Sequence, residues 1–163
     1  MLTQELLHNL FDYKDGFLIR KITTSSTAIA GTVCSNKGSD GYLRVGINKR
    51  RYAVHRVIFM MHNNFLPQYV DHIDGNKLNN KIENLRPITV SQNQQNRGKT
   101  RLNTSGFKGV SLHKRDNLYR ARLTVNNKEK IIGYFKNPED AYNAYCEAAA
   151  KFHTHNKEAK SFA

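Results

Sequence analysis

The residues best suited to chemistry in this 163-residue chain lie in one string, Val70-Asp71-His72-Ile73-Asp74-Gly75-Asn76. It continues as Lys77-Leu78-Asn79-Asn80-Lys81-Ile82-Glu83-Asn84-Leu85-Arg86. A histidine, whose ordinary pKa lies near neutrality, can take a proton from water. Carboxylate and amide oxygens are donors for a hard divalent cation. Hydrolysis of a phosphodiester needs an activated water, a positive charge for the crowded phosphate and help for the leaving 3′ oxygen. Taken singly these residues say little, because an Asp-His pair is commonly a surface pair and Asp74-Gly75-Asn76 is an ordinary turn. The combination in one string is what carries weight.

The elements that must position this string follow from the pattern around it. Upstream, Tyr13 to Arg20 holds an Asp-Gly turn between short apolar runs, a hairpin signal. Residues Thr23 to Asp40 are rich in Ser, Thr and Gly and read as a long loop. Gly41 to Ile47 alternates like a strand, and Asn48-Lys49-Arg50 turns it into Arg51 to Val54. The first fifty residues are thus expected to be short strands and turns, forming a small antiparallel sheet with a basic tip. From His55 the pattern turns helical, with Val57, Ile58, Met61 and Phe65 on one face before Pro67 ends it. Tyr69 to Pro87 reads as two extended pieces around a turn, and a short polar helix is expected from about Ser91 to Asn96.

The string from Asp71 to Arg86 resembles the HNH (ββα-metal) nuclease motif in the form found in phage homing endonucleases. The likeness extends forward through His55-Arg56 and onward through Ser91-Gln92-Asn93-Gln94-Gln95-Asn96-Arg97, covering roughly residues 10 to 97. The resemblance implies His72 as general base, Asp71 as a metal ligand and Asn84 as the central Asn that braces the loop and orients the base. Asn93 is the second metal ligand it implies, with Asn96 the other candidate for that place. An amide oxygen there favours a single Mg²⁺ or Mn²⁺ ion over a nitrogen-preferring metal. His55 and Arg56 are open to a functional role, with the alternative that His55 caps or packs at the helix start.

Composition bounds the partners. There are 26 Lys+Arg against 13 Asp+Glu, a net charge of +13, which favours a polyanion such as nucleic acid. The excess is concentrated: Arg97 to Lys136 holds eleven basic residues opposed by Asp116 and Glu129 alone. No apolar run approaches the roughly 20 residues of a membrane span, and the N-terminal residues lack a signal-peptide pattern. Cys34 and Cys146 stand far apart, without zinc-finger spacing or a disulfide framework, which suits a reducing cytoplasm, that of a bacterial host if the chain is phage-encoded.

Beyond a basic linker, three strand candidates follow: Phe107–His113, Leu118–Asn126 and Lys130–Phe135. A helix then opens with Asn137 as N-cap and Pro138 at its first position, followed by Glu139-Asp140. Its buried face is expected to be Ala141, Tyr145, Ala148, Ala149 and Phe152. The residues Ser105-Gly106-Phe107-Lys108-Gly109-Val110, Tyr119-Arg120-Ala121-Arg122-Leu123, Ile132-Gly133-Tyr134-Phe135 and Glu139 to Tyr145 resemble an ethylene-response-factor (APETALA-type) DNA-binding domain. That family lays a three-stranded sheet in the major groove, backed by one helix. Strand alternation turns Tyr119, Ala121, Leu123 and Val125 toward the helix and Arg120, Arg122, Thr124 and Asn126 outward. The candidate DNA contacts are Lys108, Ser111, His113, Arg120, Arg122, Thr124, Lys130 and Arg97. Tyr119 stands where the family often has Trp, and Ser111 and His113 where it often has Arg, which leaves base specificity open.

The expectation is therefore an α+β chain: a ββα-metal nuclease domain over residues 1–97, a basic linker over 98–105, and a three-stranded antiparallel sheet packed on one helix over 106–163. Its expected activity is metal-dependent hydrolysis of double-stranded DNA, by a monomer or homodimer. The rivals are a DNA-binding regulator with a relic nuclease fold and an RNA-binding protein.

Overall fold

Thr3 starts the first helix, α1 (Gln4–Leu10), its hydroxyl accepting from the Leu6 amide at 3.2 Å. The sequence reading has only strands and turns here. Seven residues span about two turns, too few for a helical period to stand out. In the computed structural model, which describes residues 2–96, 98, 102–125 and 128–153, the chain divides into two compact units, Met1–Ile88 and Thr89–Ala163.

In the first unit, β1 (Phe11–Lys14) and β2 (Phe17–Arg20) pair antiparallel around Asp15-Gly16. Both turn residues have positive φ, 49° and 88°, the signature of a tight hairpin whose twist matches its strands. A second hairpin, β3 (Arg44–Ile47) with β4 (Arg50–Ala53), turns at Asn48-Lys49 in the same way. The two hairpins are separate two-stranded sheets rather than one. The loop expected over Thr23 to Asp40 is tied down by backbone bonds: Arg20 N–H to the Thr32 carbonyl (3.0 Å), Cys34 N–H to Leu18 (2.8 Å) and Arg44 N–H to Asn36 (2.7 Å). Its far end brings Tyr42 back beside β3.

The helix α2 (Val54–Asn63) is the centre of this unit. It is buried on nearly every side, through Val54, His55, Val57, Ile58, Phe59, Met60 and Met61, and it packs with Leu7, Phe11, Leu18 and Val45. Asn64 ends it in the left-handed conformation, so Phe65, expected on its apolar face, falls past the helix and is exposed. β5 (Tyr69–His72) and β6 (Leu85–Ile88) then pair antiparallel, with a single 3-10 turn at Ile82–Asn84 leading into β6.

The second unit starts with α3 (Val90–Asn96). Thr89 and Gln92 cap it reciprocally: the Gln92 N–H donates to the Thr89 hydroxyl and the Thr89 N–H to the Gln92 amide oxygen at 2.8 Å. The strands β7 (Val110–His113), β8 (Leu118–Val125) and β9 (Lys128–Phe135) form one antiparallel sheet in that order, with a bulge opposite Ala121/Arg122. The helix α4 (Pro138–Phe152) packs on it through Ala141, Tyr145, Cys146 and Ala149. Phe152, expected on that face, is exposed, with the Lys130 ammonium 4.1 Å from its ring centre. Asn137 does not accept from the helix; its amide donates to Asp140 instead, at 3.1 Å. The architecture is α+β, a mixed unit followed by a three-stranded sheet on one helix.

Gly16 links a hairpin to the candidate site, because a β-carbon there would sit 2.9 Å from the Lys81 backbone nitrogen. Gly31 has a similar φ of +80° with nothing within 4 Å. Gly16→Ala is expected to cost roughly 2–4 kcal/mol, backbone strain plus overpacking, and Gly31→Ala only the strain part. Urea unfolding of both variants checks this, and equal losses would refute the close approach.

Candidate functional site

The hairpin of β5 and β6 places Asp71 directly across from Arg86 and His72 across from Leu85. Opposed residues share a face, so the Arg86 guanidinium reaches the Asp71 carboxylate at 2.9 Å, with both side chains largely buried. His72, the next residue, turns inward and is 2% exposed.

The loop between the strands is closed by amides. The Asn84 amide oxygen accepts from the Asp74 N–H at 3.0 Å, and its NH₂ donates to the Asp74 carboxylate at 2.9 Å and the Asn79 carbonyl at 2.8 Å. Asn79 donates to the other Asp74 oxygen at 2.7 Å, and the Asn76 N–H to Asp74 at 2.8 Å. Burial alone would raise the Asp74 pKa, but these donors outweigh it and hold the carboxyl below the usual carboxylate range.

Asn84 thus acts on the loop, while the amide that bonds the imidazole is Asn80. Its oxygen lies 2.9 Å from His72 Nε2, and Asn80 is itself 2% exposed. An amide oxygen only accepts, so this contact puts the proton on Nε2 and leaves the lone pair on Nδ1. Nothing in the sequence separates Asn80 from Asn76, Asn79 and Asn84 as the partner of the ring. The other polar atom of Asn80, Nδ2, is buried without a partner.

Two residues from outside the string complete the surroundings of His72. The His55 ring lies 4.9 Å from it, edge-on, and the Tyr42 ring 5.8 Å; Tyr42 and His55 are 5.0 Å apart. The Tyr42 hydroxyl is pushed up by burial and then by the charges of Asp71 and Asp40. Lys77 lies 4.9 Å from the Tyr42 ring centre and donates to the Asp40 carbonyl at 2.9 Å, and Asp40 pairs with Arg44. Tyr42 has no sequence signal; it arrives through the loop that precedes β3.

Asn93 and Asn96, the two candidates for a second oxygen donor, both lie on α3 in the second unit. Arg97 lies outside the described residues. In the second unit, Ser111 is paired across the strands with Arg120 and Arg120 with Tyr134, while Arg122 stands opposite Ile131. Ser111, His113, Arg120, Arg122 and Thr124 therefore share the face turned away from α4. Arg122 pairs with Glu129 on that face, His113 Nδ1 lies 3.1 Å from Asp116, and Arg120 Nε is buried without a partner. Asn126, expected outward beside them, lies outside the described residues. Lys130 stands opposite Leu123, on the helix side, because the bulge shifts the register of β9. Lys108 donates to the Gln95 carbonyl at 2.8 Å, near the end of α3.

His55 predicts a measurable pH dependence. Burial first, then the neighbouring charges of His72, Arg56 and Arg44, push its pKa from 6.5 down to about 3. Between those values the unfolded chain binds a proton that the folded chain does not. Stability from this group is complete above about pH 6.5 and is lost as pH falls toward 3, at up to about 1.4 kcal/mol per pH unit. The depressed Asp74 adds to acid loss only below the ordinary carboxylate range. Urea unfolding between pH 4.5 and 6.5 is expected to be flatter for His55→Phe than for the wild type; parallel slopes would show that His55 does not carry the effect.

Residues 52–95, from β4 through α3, match the family model described as HNH endonuclease. The chain is 41% identical over 61 residues to protein 3.8 of Escherichia phage T7, covering 37% of this chain and 50% of that protein. It is 34% identical over 111 residues to an uncharacterized HNH endonuclease of Acanthamoeba polyphaga mimivirus, covering 66% of this chain and 56% of the relative. A second uncharacterized HNH endonuclease of the same virus is 41% identical over 70 residues, covering 38% of this chain and 21% of the relative. The chain thus spans about half the length, or less, of the curated relatives it matches. No solved structure matches it. The family model and the two mimivirus relatives are described as HNH endonucleases, and the segment that matches the family model contains Asp71, His72, Asn80 and Asn84.

Proposed function

We propose that this chain is a divalent-metal-dependent endonuclease that hydrolyses phosphodiester bonds in double-stranded DNA. The observation that carries the reading is His72, buried beside Asp71 within the matched segment, with Asn80 holding its Nε2. With the proton on Nε2, Nδ1 is the atom that takes a proton from the attacking water. Asn84 keeps the loop closed, so that this nitrogen stays where the strand ends rather than swinging with a flexible turn.

The donors fit a hard cation. Asp71 offers a carboxylate, and the motif pattern assigns Asn93 as the second oxygen donor. Among the described residues no three His, Cys, Asp or Glu side chains gather to hold an ion. An ion at Asp71 would fill its shell with amide, water and phosphate oxygens, which suits Mg²⁺ or Mn²⁺. When bound, it would stabilise the charge on the phosphate and the leaving oxygen. Arg86, paired with Asp71, holds the carboxylate in a fixed orientation and tempers its charge.

DNA reading belongs, in this proposal, to the second unit. The outward face of its sheet sets Ser111, His113, Arg120, Arg122 and Thr124 together, and this supports the ethylene-response-factor-like role. Arg side chains can clamp phosphate or read guanine from such a face. The division into a cutting part over residues 1–97, a basic linker and a reading part over 106–163 is part of the same proposal. So are a phage homing-type role, a bacterial host cytoplasm, and nicking by a monomer or double-strand cutting by a homodimer.

Supercoiled plasmid incubated with Mg²⁺ or Mn²⁺ is expected to be relaxed or linearised, and EDTA to stop it. His72→Ala is expected to lower the rate on the order of 10²–10⁴-fold. Equal cleavage by the variant would remove His72 as the base, and metal-independent binding without cleavage would favour a DNA-binding regulator. Arg120→Ala and Arg122→Ala are each expected to weaken DNA binding by about 1–3 kcal/mol and to lower the salt dependence. Unchanged affinity in anisotropy titrations would move recognition elsewhere.

A further inference from the structure

His55 is the second residue of α2 and is 7% exposed, yet among the described residues neither ring nitrogen has a hydrogen-bond partner. Buried imidazoles normally find one, because an unpaired polar group taken out of water costs about 1–3 kcal/mol. The nitrogens are not sealed off either. The described polar atoms that are both sealed and unpaired lie elsewhere, at Asn80 Nδ2 and Arg120 Nε among others. What surrounds the ring is His72 at 4.9 Å and Tyr42 at 5.0 Å, so its open hydrogen-bonding capacity is directly beside the base.

A structural role would be served as well by Phe or Leu at this buried helix position. The side chain present instead keeps one N–H and one lone pair next to His72. Burial and the nearby charges of His72, Arg56 and Arg44 also keep the ring neutral at ordinary pH. A neutral imidazole is a poor general acid, but it is a good fixed donor: it can hydrogen-bond an anionic oxygen without first losing the hydration shell of a cation. Ring centres 4.9 Å apart let one phosphodiester touch both imidazoles.

We propose that His55 is a second substrate-contacting residue of the nuclease site, donating a ring N–H to a non-bridging oxygen of the DNA phosphate that His72 serves. The proposal rests on the nuclease reading above, and its test separates the two. The full chain, with ¹⁵N-labelled histidine, is titrated with a short DNA duplex in EDTA, so that nothing is cut. The His55 ring resonances are expected to shift on DNA binding and to remain those of a neutral ring; resonances unmoved by bound DNA would overturn the contact.

Single-turnover cleavage then compares His55→Phe, which keeps a ring against His72 and Tyr42, with His55→Gln, which keeps an N–H donor. His55→Phe is expected to retain its Tm at neutral pH and its DNA affinity while cleaving about 10²-fold more slowly, the scale of one lost transition-state donor. His55→Gln is expected to recover part of that loss. Wild-type cleavage by the Phe variant would reduce His55 to packing. If the Phe variant unfolds, the resonance titration of the wild type decides. If the wild type shifts His55 on binding yet cuts no DNA with any metal, the nuclease reading fails while the phosphate contact stands.

Discussion

The hydrogen bonds that the side-chain amides of Asn84 and Asn79 make with Asp74 and with the loop backbone are the constraint on which the candidate site depends. A loop this polar has many backbone and side-chain groups that need partners, and without them it would find those partners in water and fluctuate. Closing it on itself brings Leu85 and Arg86 back beside His72 and Asp71 in a single register. That register puts Arg86 on Asp71 and sends His72 inward. A slip of one residue would reverse both faces of the hairpin.

Placing His72 inward has a second consequence, because a buried imidazole needs something to bond and something to lie against. Asn80 meets the first need and fixes the tautomer; Tyr42 and His55 meet the second. These come from three separate parts of the chain: the motif loop, the segment before β3 and the first turn of α2. The Asp15-Gly16 turn presses on the backbone at Lys81, and the Tyr13 hydroxyl accepts from the Ile82 N–H at 3.0 Å. The N-terminal hairpin therefore buttresses the loop that carries Asn80. The long segment before β3 is held to β2 by backbone bonds and so delivers Tyr42 at a defined place.

The second unit solves a different problem. Its sheet has one face closed by α4 through small residues, Ala121, Ala141 and Ala149, which lets the helix approach the strands. The other face is left with cations, a hydroxyl pair and the exposed Ile131 and Tyr134. One of its cations is already engaged, Arg122 with Glu129, which orders that side chain in advance of any partner. Ordering before contact lowers the entropy lost on association.

Local chemistry made much of this legible in the residues alone. The Asp-Gly turn, the stop after α2, the two strands around the loop, the three-strand-and-helix order and the Asp71–Arg86 string are all written in short-range patterns of turn residues and periodicity. Short-range patterns also mislead where the signal is brief or ambiguous. They give no sign of α1, carry the apolar face of α2 on to Phe65 and pass over the Thr89–Gln92 cap. What the sequence by itself determined, then, is most of the elements after the first, the string that resembles a nuclease motif and the division of charge along the chain. Only the tertiary structure decided that Asn80 bonds His72, that Tyr42 and His55 enclose it, and that a bulge turns Lys130 toward the helix side. The reason is physical: these relations are set by burial and by strand register between residues distant in sequence, and no local spacing encodes them.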